Sequence, residues 1–572
     1  MPADPIRHDV YYDYDGLTEA LRTLERTFPD LATLRSIGRS FEGRELWLLE
    51  VTNRHTGPAH HKPGFYLDGH IHAEEHITSS AVLLAASHLL SAYGEDPEVT
   101  RLVDEQVFYL LPRLNPDGAE RSIAPPYYRW VGNGRRSVRE AHAGGIQPDD
   151  LDGDGYIAWM RVPDPRGEWV GDPDDDRLLL RRRPGDRPER AYRLLPEGRV
   201  PDFDGAFVPL ARPLDGNLNR NFHVGWQPEH VQYGAGDAPL SEPETRALVA
   251  FIDQHPNIAG MCTYHSHGGV MLRPSMTKPD SAMAPRDLAL YLDIGAVATE
   301  LTGYPLISVF EEFTPDKSRP RRGGFEDYVY ETLGIPCFGP ELWDVERAAG
   351  VEKRVHYGLH ARDDDSMRAI VAWVDEHVGP HGFRPWTPVE HPELGPVEVG
   401  GLVDIWTFRN PPPHLIEEVC RPHVLFNLHH AAAAPRVRID RVATTRLADG
   451  VQRVRALVSN HGYLPTNLTD VALENGVADP VHVALRATGA ADGAADVLDP
   501  AEVQVGHLAG RNERGMPWSP FGPTFSRDAA WVEWTVRIDE GDTVELRVEA
   551  WSARAGRDEA TVILEASAGS AP

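Results

Sequence analysis

Within residues 68–78, read as Asp68-Gly69-His70-Ile71-His72-Ala73-Glu74-Glu75-His76-Ile77-Thr78, three histidines and two glutamates fall inside seven residues. Imidazole nitrogens and carboxylate oxygens are ligands for zinc, and a catalytic zinc takes three protein ligands and keeps one position open for water. The spacing of His72 and Glu75 offers one imidazole and one carboxylate from a single turn, so a third ligand must come from elsewhere. Tyr264-His265-Ser266-His267 supplies the candidate, because it ends an apolar run from Ile258, and strand ends in α/β sheets deliver side chains into the ligand crevice. A second pattern overlaps the first: in His72-x-x-Glu75-His76 both histidines could bind zinc with the glutamate as base. That inverted pattern belongs inside a helix, whereas Gly69 and the strand before it place His72 on a turn.

The elements that must hold these residues follow from periodicity. Gly64-Phe65-Tyr66-Leu67 is a short continuous apolar run and predicts a buried strand, with a helix from Ile77 to Leu90 after it. Leu17 to Phe28 reads as an amphipathic helix, Leu46 to Val51 and Val107 to Leu111 as strands, and Asn115-Pro116-Asp117-Gly118 as a turn. The alternation resumes with a capped helix from Ser241 to Asp253, a strand from Ile258 and a helix from Arg286 to Thr302. A helix from Phe325 to Leu333, a strand at Cys337-Phe338-Gly339 and a helix from Ser366 to His377 complete the set. The expected class is α/β, a mixed sheet flanked by helices over residues 10–380. Between about 123 and 214 the pattern breaks into Pro-, Gly-, Asp- and Arg-rich text that reads as an insertion. Pro-rich residues 381–430 read as a linker. Period-2 runs such as Arg436 to Ile439 and Thr543 to Val548 predict an all-β sandwich over 431–570. Trp531, Trp534 and Trp551 there are expected in its core.

At 572 residues the chain exceeds a single core, and its formal charge of −30 disfavours nucleic acid and anionic membrane surfaces as partners. Three cysteines, Cys262, Cys337 and Cys420, have neither zinc-knuckle nor disulfide spacing and are expected as small buried apolar residues. No secretory signal is visible in Met1 to Tyr14, so a cytoplasmic setting is expected, with export by an unrecognised route left open.

Five blocks in fixed order resemble the carboxypeptidase A-like zinc metallocarboxypeptidases across about residues 10–380. They are Gly69-x-His72-x-x-Glu75 running into Ile77-Thr78, Asn115-Pro116-Asp117-Gly118, Leu218-Asn219-Arg220-Asn221-Phe222, His265-Ser266 and Glu341-Leu342. The resemblance implies one zinc ion held by His72, Glu75 and His265. It makes Glu341 the general base toward a zinc-bound water and then the acid toward the leaving amine. Asn219 and Arg220 become the clamp on a substrate's free carboxylate, Arg220 through a bidentate pair. The implied activity is removal of C-terminal amino acids from a peptide or peptide-like substrate. Two alternatives stand beside it: a zinc amidohydrolase acting on a non-peptide acyl amino acid or modified peptide, and a non-catalytic binding protein on the same fold.

The chain departs from the family pattern in places. The oxyanion arginine falls in divergent text where Arg129, Arg135 and Arg136 compete, with Arg129 preferred for its distance from Asn115. The tyrosine that covers the substrate in many members is replaced by Arg319, and no tyrosine occurs from Glu311 to Glu326. Glu326 takes the position that sets side-chain preference and is expected to favour a basic C-terminal residue. Finally, Asp150-Leu151-Asp152-Gly153-Asp154-Gly155-Tyr156-Ile157 has the acidic spacing of a calcium loop, with Asp150, Asp152, Asp154 and the Tyr156 carbonyl as ligands, although its twelfth position is Arg161 rather than Glu.

Overall fold

The computed structural model describes residues 4–135, 145–201, 203, 205, 216–352, 364–487, 495–513, 528–539 and 542–565. Its centre is a nine-stranded mixed sheet. Along it lie Ala32–Arg39, Glu45–Val51, Val107–Leu111, Gly64–Asp68, Ile258–Thr263, Cys337–Leu342, Val270–Arg273 and Leu306–Ser308, with His265–Ser266 paired beside Cys337–Leu342. The four middle strands pair in parallel and are buried along their whole length. Strands covered on both faces need no polar alternation, which is why they read as continuous apolar runs.

Successive side chains of these strands feed two separate cores. Phe65 and Leu67 point toward the helices Tyr14–Thr27 and His76–Ala92, while Tyr66 points toward Phe251, Tyr291 and Phe325 on the opposite face. The three cysteines are unpaired and buried, as expected.

The linker expected over 381–430 is corrected. Phe383–His391 and Gly395–Leu402 are strands that join four strands of the insertion, Trp159–Pro163, Trp169–Gly171, Leu179–Arg181 and Tyr192–Pro196, in one six-stranded sheet. Ile416–Ala432 is a helix whose Ile416, Cys420, Val424 and Ala431 lie in the same core as Ile77, Ala81 and Leu84. Proline-rich text concealed both features, since Pro385 and Pro388 sit within an edge strand and Pro422 within the helix.

The C-terminal region is a sandwich of two four-stranded antiparallel sheets. Trp534 is fully buried between them, but Trp531 is half-exposed under the Arg455 guanidinium and Trp551 stacks on His482, which corrects the expectation of three core tryptophans. Trp534→Ala would leave a cavity the size of an indole, and such deletions cost about 3–5 kcal/mol. Urea unfolding of the full chain should show a correspondingly lower midpoint for the transition that reports the sandwich.

Candidate metal centre and substrate cavity

The turn after Gly64–Asp68 is built to bring His72 and Glu75 together. A Cβ on Gly69 would lie 2.6 Å from the Thr78 carbonyl oxygen, so only glycine lets the turn fold back onto the helix start. His70 follows with a positive φ of 61°. Its N–H donates to Thr78 Oγ1 (2.7 Å), whose hydroxyl donates to the Glu75 carbonyl (2.6 Å). The His70 ring is held between Ser79 Oγ (2.7 Å) and Ala73 O (3.0 Å), so it shapes the turn and is not presented to the cavity. His72 and Glu75 then converge, Nδ1 to Oε1, at 3.0 Å.

His265 arrives from the neighbouring strand. Its Nδ1 lies 3.3 Å from His72 Nδ1 and 3.4 Å from Glu75 Oε2. Tetrahedral coordination at about 2.0–2.1 Å sets ligand atoms roughly 3.3 Å apart, and the three donor–donor separations match it. Glu75 Oε2 is buried and faces His265 Nδ1. Burial alone would raise the Glu75 carboxyl, but the charge of His72 and the hydrogen bonds from His265 and His72 pull it well below the carboxylate range. Burial pushes the His72 ring down toward its neutral, coordinating form. At His265 burial is outweighed by Glu326 and Glu75, which draw a proton onto the ring, and metal binding displaces such protons from ligands. The residues present therefore fit zinc.

Glu326 lines the cavity as expected, with its carboxylate turned onto a metal donor. Its Oε1 lies 3.2 Å from His265 Nε2, and its Oε2 3.5 Å from Asn219 Nδ2. The hydrogen bond and charge of His265 overcome the burial and hold its carboxyl at about 2. A carboxylate so engaged orients a ligand imidazole, so the basic preference expected of Glu326 would have to be exerted by a carboxylate shared with His265.

Asn219 and Arg220 lie on the turn Leu218–Arg220. Asn219 Oδ1 accepts the Phe325 N–H (2.7 Å), which leaves the amide Nδ2 facing the site. Asn221 anchors the turn from below, donating to Ala235 O and accepting from the Glu242 N–H and the Thr245 hydroxyl. A Cβ on Gly323 would meet the Arg220 carbonyl at 2.4 Å, so glycine is needed for that close approach.

Glu341 follows from strand register, which sets it directly beside His265 on adjacent parallel strands. Burial pushes its carboxyl up to about 8, against the pull of His265 and with the push of Glu75. These residues share one cavity of about 170 Å³, whose other walls are Leu272, Met276, Val309 and Phe313 with Arg321 and Arg409. A larger space of about 630 Å³ beside Ile6, His88 and Arg421 contains none of them.

The arginines expected at the oxyanion are elsewhere. Arg129 pairs with Asp404 (2.9 Å) and lies over Trp159 on the side of the insertion, outside this cavity. Arg135 reaches Glu242 and Asp237, and Arg136 lies outside the described residues. Arg321 and Arg409 are the cavity's cations that sequence reasoning missed. Arg409 donates to the Ser266 carbonyl (3.3 Å), and Asn410 beside it accepts the Ile77 N–H and donates to Glu74 O, so the 405–410 segment is fastened to the metal turn. Nothing in local sequence linked that segment to a turn more than three hundred residues earlier. Glu74 and His76 are both buried, with His76 stacked on Trp406. Arg319 is exposed, and Arg321 rather than Arg319 lines the cavity.

The aspartates of the 150–156 loop converge, with carboxylate oxygens within 4.8 Å of one another. The loop itself takes them up. Asp150 accepts from Gly153 and Gly155, Asp154 accepts from the Tyr156 N–H, and Arg384 pairs with Asp154 at 2.6 Å. Arg161 turns away to Glu398 (2.8 Å). Beyond that convergence, nothing supports the expected calcium.

Comparison with known proteins agrees with this geometry. Residues 17–363 match the zinc carboxypeptidase family (Peptidase_M14), and residues 436–563 match a domain of unknown function (DUF8731). Mouse carboxypeptidase M is 32% identical over 130 residues, 22% of this chain and 28% of that protein. The zinc carboxypeptidase of Saccharothrix mutabilis subsp. capreolus is 32% identical over 129 residues, 22% of this chain and 29% of its own length. A Saccharomyces cerevisiae protein named inactive metallocarboxypeptidase ECM14 is 38% identical over 108 residues, 19% of this chain and 25% of its own. The matched segments thus span about a quarter of these relatives. The crystal structure of thrombin activatable fibrinolysis inhibitor is 17% identical, with a TM-score of 0.44 and 74% of each chain covered. The family match alone runs through well over half of the sequence, from the first helix to the segment beyond Glu341, and the chain belongs to the zinc carboxypeptidase family.

Proposed function

We propose that the chain is a zinc-dependent carboxypeptidase, with one zinc ion held by His72, Glu75 and His265, that removes C-terminal residues from peptides. The observation that carries this reading is the meeting, in one cavity, of the three metal donors with Glu341 and with Asn219 and Arg220. When bound there, zinc supplies Lewis acidity toward the scissile carbonyl and acidifies water.

The protein side chains divide the remaining work. Arg220 and the Asn219 amide grip the terminal carboxylate and set which bond lies over the metal donors. Glu341 accepts a proton from the attacking water and returns it to the departing amine. Arg321 and Arg409 favour the ionised form of Glu341, and with Arg220 they are the cations lining this cavity among the described residues. Oxyanion stabilisation is therefore assigned to this pair in place of Arg129.

Bidentate recognition needs the guanidinium plane, so Arg220→Ala should cut kcat/KM on peptides by roughly a hundredfold, and Arg220→Lys should recover only part of it. Blocking the terminus as an amide should abolish the difference between these proteins, because the lost contact is then absent from the substrate. The reading as a whole is tested by metal analysis of the purified chain and a peptide-library digest followed by mass spectrometry. Zinc at one equivalent with residues leaving from the C-terminus supports it, whereas internal cleavage or intact peptides would sink it. The yeast relative named inactive shows that family members can bear that description. A binding protein, however, has no need for a buried carboxylate placed next to metal donors.

A further inference from the structure

The C-terminal sandwich belongs to a domain family of unknown function, and the way it touches the catalytic half gives it one. The point of contact is the helical segment that begins at Phe325 and continues through Tyr328–Thr332 to Leu333. Its first turn carries Glu326, which sits on His265 Nε2. The carbonyls of Glu331, Thr332, Leu333 and Gly334 find donors in the other domain. Asn475 Nδ2 donates to Glu331 O (2.8 Å) and Thr332 O (3.2 Å), Arg554 Nη2 to Leu333 O (2.9 Å), and the Thr469 hydroxyl to Gly334 O (2.7 Å).

The contact is reciprocal. Asp287 of the catalytic half accepts from the N–H groups of Asp470 (2.7 Å) and Val471 (3.2 Å), at the start of the short helix Asp470–Glu474, and from the Tyr330 hydroxyl (2.9 Å). Gly334, at φ 61°, has the Ala472 backbone where a side chain would stand, 2.5 Å from a Cβ built there. Thr469 and Arg554 are themselves buried.

The last four carbonyls of a helix have no partner within it and must be satisfied from outside. A helix of this length is marginal by itself, because nucleation is costly and few internal bonds repay it. Glu326 and the capped end are only about two helical turns apart, so fraying from the C-terminus reaches the first turn within a few residues. We propose that the C-terminal domain is a brace of the metal centre: Thr469, Asn475 and Arg554 are positioning residues that terminate this segment and so hold Glu326 against His265. The domain acts on the active site through structure, without contributing a group to the cavity among the described residues. This rests on the reading of His265 as a zinc ligand.

Three variants of the full chain test it: Asn475→Ala, whose side chain is exposed, Thr469→Val and Thr469→Ser. Hydrogen exchange of the 325–335 amides is read in the metal-free proteins, and zinc affinity by competition with a chromogenic chelator. Asn475→Ala and Thr469→Val should speed exchange across 325–335 and weaken zinc binding by roughly tenfold or more, as loss of a ligand's outer partner does. Thr469→Ser keeps the hydroxyl and should restore both. Exchange at 325–335 unchanged by Asn475→Ala and Thr469→Val overturns the brace. So does zinc binding as tight as in the unmodified chain when these variants only melt earlier. If the unmodified chain binds no zinc, the reading of the site fails, and the exchange measurement still decides whether the domain holds the segment.

Discussion

Glu341→Gln should lower kcat by about 10²–10⁴-fold, the range that a positioned proton-transfer group contributes, with KM and zinc content little changed. The amide has the shape of the carboxylate but can neither take a proton from water nor return one to the leaving amine. The same change should not cost stability. Glu341 is 9% exposed, and burial pushes its carboxyl up to about 8, so the metal-free fold already disfavours its charge. A neutral amide removes that penalty, and the variant should melt at the same temperature as the parent or slightly above it. Steady-state kinetics on a C-terminally extended peptide, with metal content and melting followed on the same preparations, checks both halves. An active variant would remove Glu341 from the mechanism, and a variant that melts much lower would show that the carboxylate is structural.

Much of this arrangement is legible in the linear sequence because local physics dictates it. Gly64–Asp68, Val107–Leu111 and Ile258–Thr263 are covered on both faces, and uninterrupted apolar runs are what such strands require. Gly69 marks the fold-back between strand and helix, and that turn brings His72 and Glu75 within 3.0 Å of each other. His265 and Glu341 stand at the ends of neighbouring parallel strands, so register alone sets them side by side.

The misses share a different physical origin. Spacing along the chain points to Arg129, Arg135 and Arg136, but the insertion leads Arg129 to Asp404 while the segment after Leu402 carries Arg409 back to Ser266. No periodicity reports such long-range closure. Glu326 does line the cavity, but its engagement with a metal donor is invisible in the sequence. Its partner His265 lies 61 residues earlier and meets it only through tertiary packing. Residues 381–430 look like a linker because strand-edge and helix-embedded prolines depress every local signal, although Ile416–Ala432 packs into the core beside the helix that follows the metal turn.

The overlap of two metal patterns in one turn provides the sharpest test of the ligand set. If His72 and His76 were the pair, His76 would face the donors. Instead its ring is stacked on Trp406 at 5.6 Å and lies near Tyr11, on the other side of the helix start. Its two nitrogens are buried and burial pushes its pKa down to about 3, so it is a neutral packing residue. His265→Ala should therefore reduce zinc affinity by at least about a thousandfold, since a three-ligand site is cut to two, and activity should disappear with the metal. His76→Ala should keep zinc at one equivalent and lose stability through the cavity beside Trp406. The metal-free His265→Ala protein should also melt lower than the metal-free parent, because Glu75 and Glu326, both buried, lose the imidazole they share. An uncompensated buried charge costs several kcal/mol. Equilibrium dialysis with zinc and thermal melts of the two variants separate the cases. Full zinc occupancy in His265→Ala, or its loss in His76→Ala, would move the centre to the inverted pattern and take Glu75 from ligand to base.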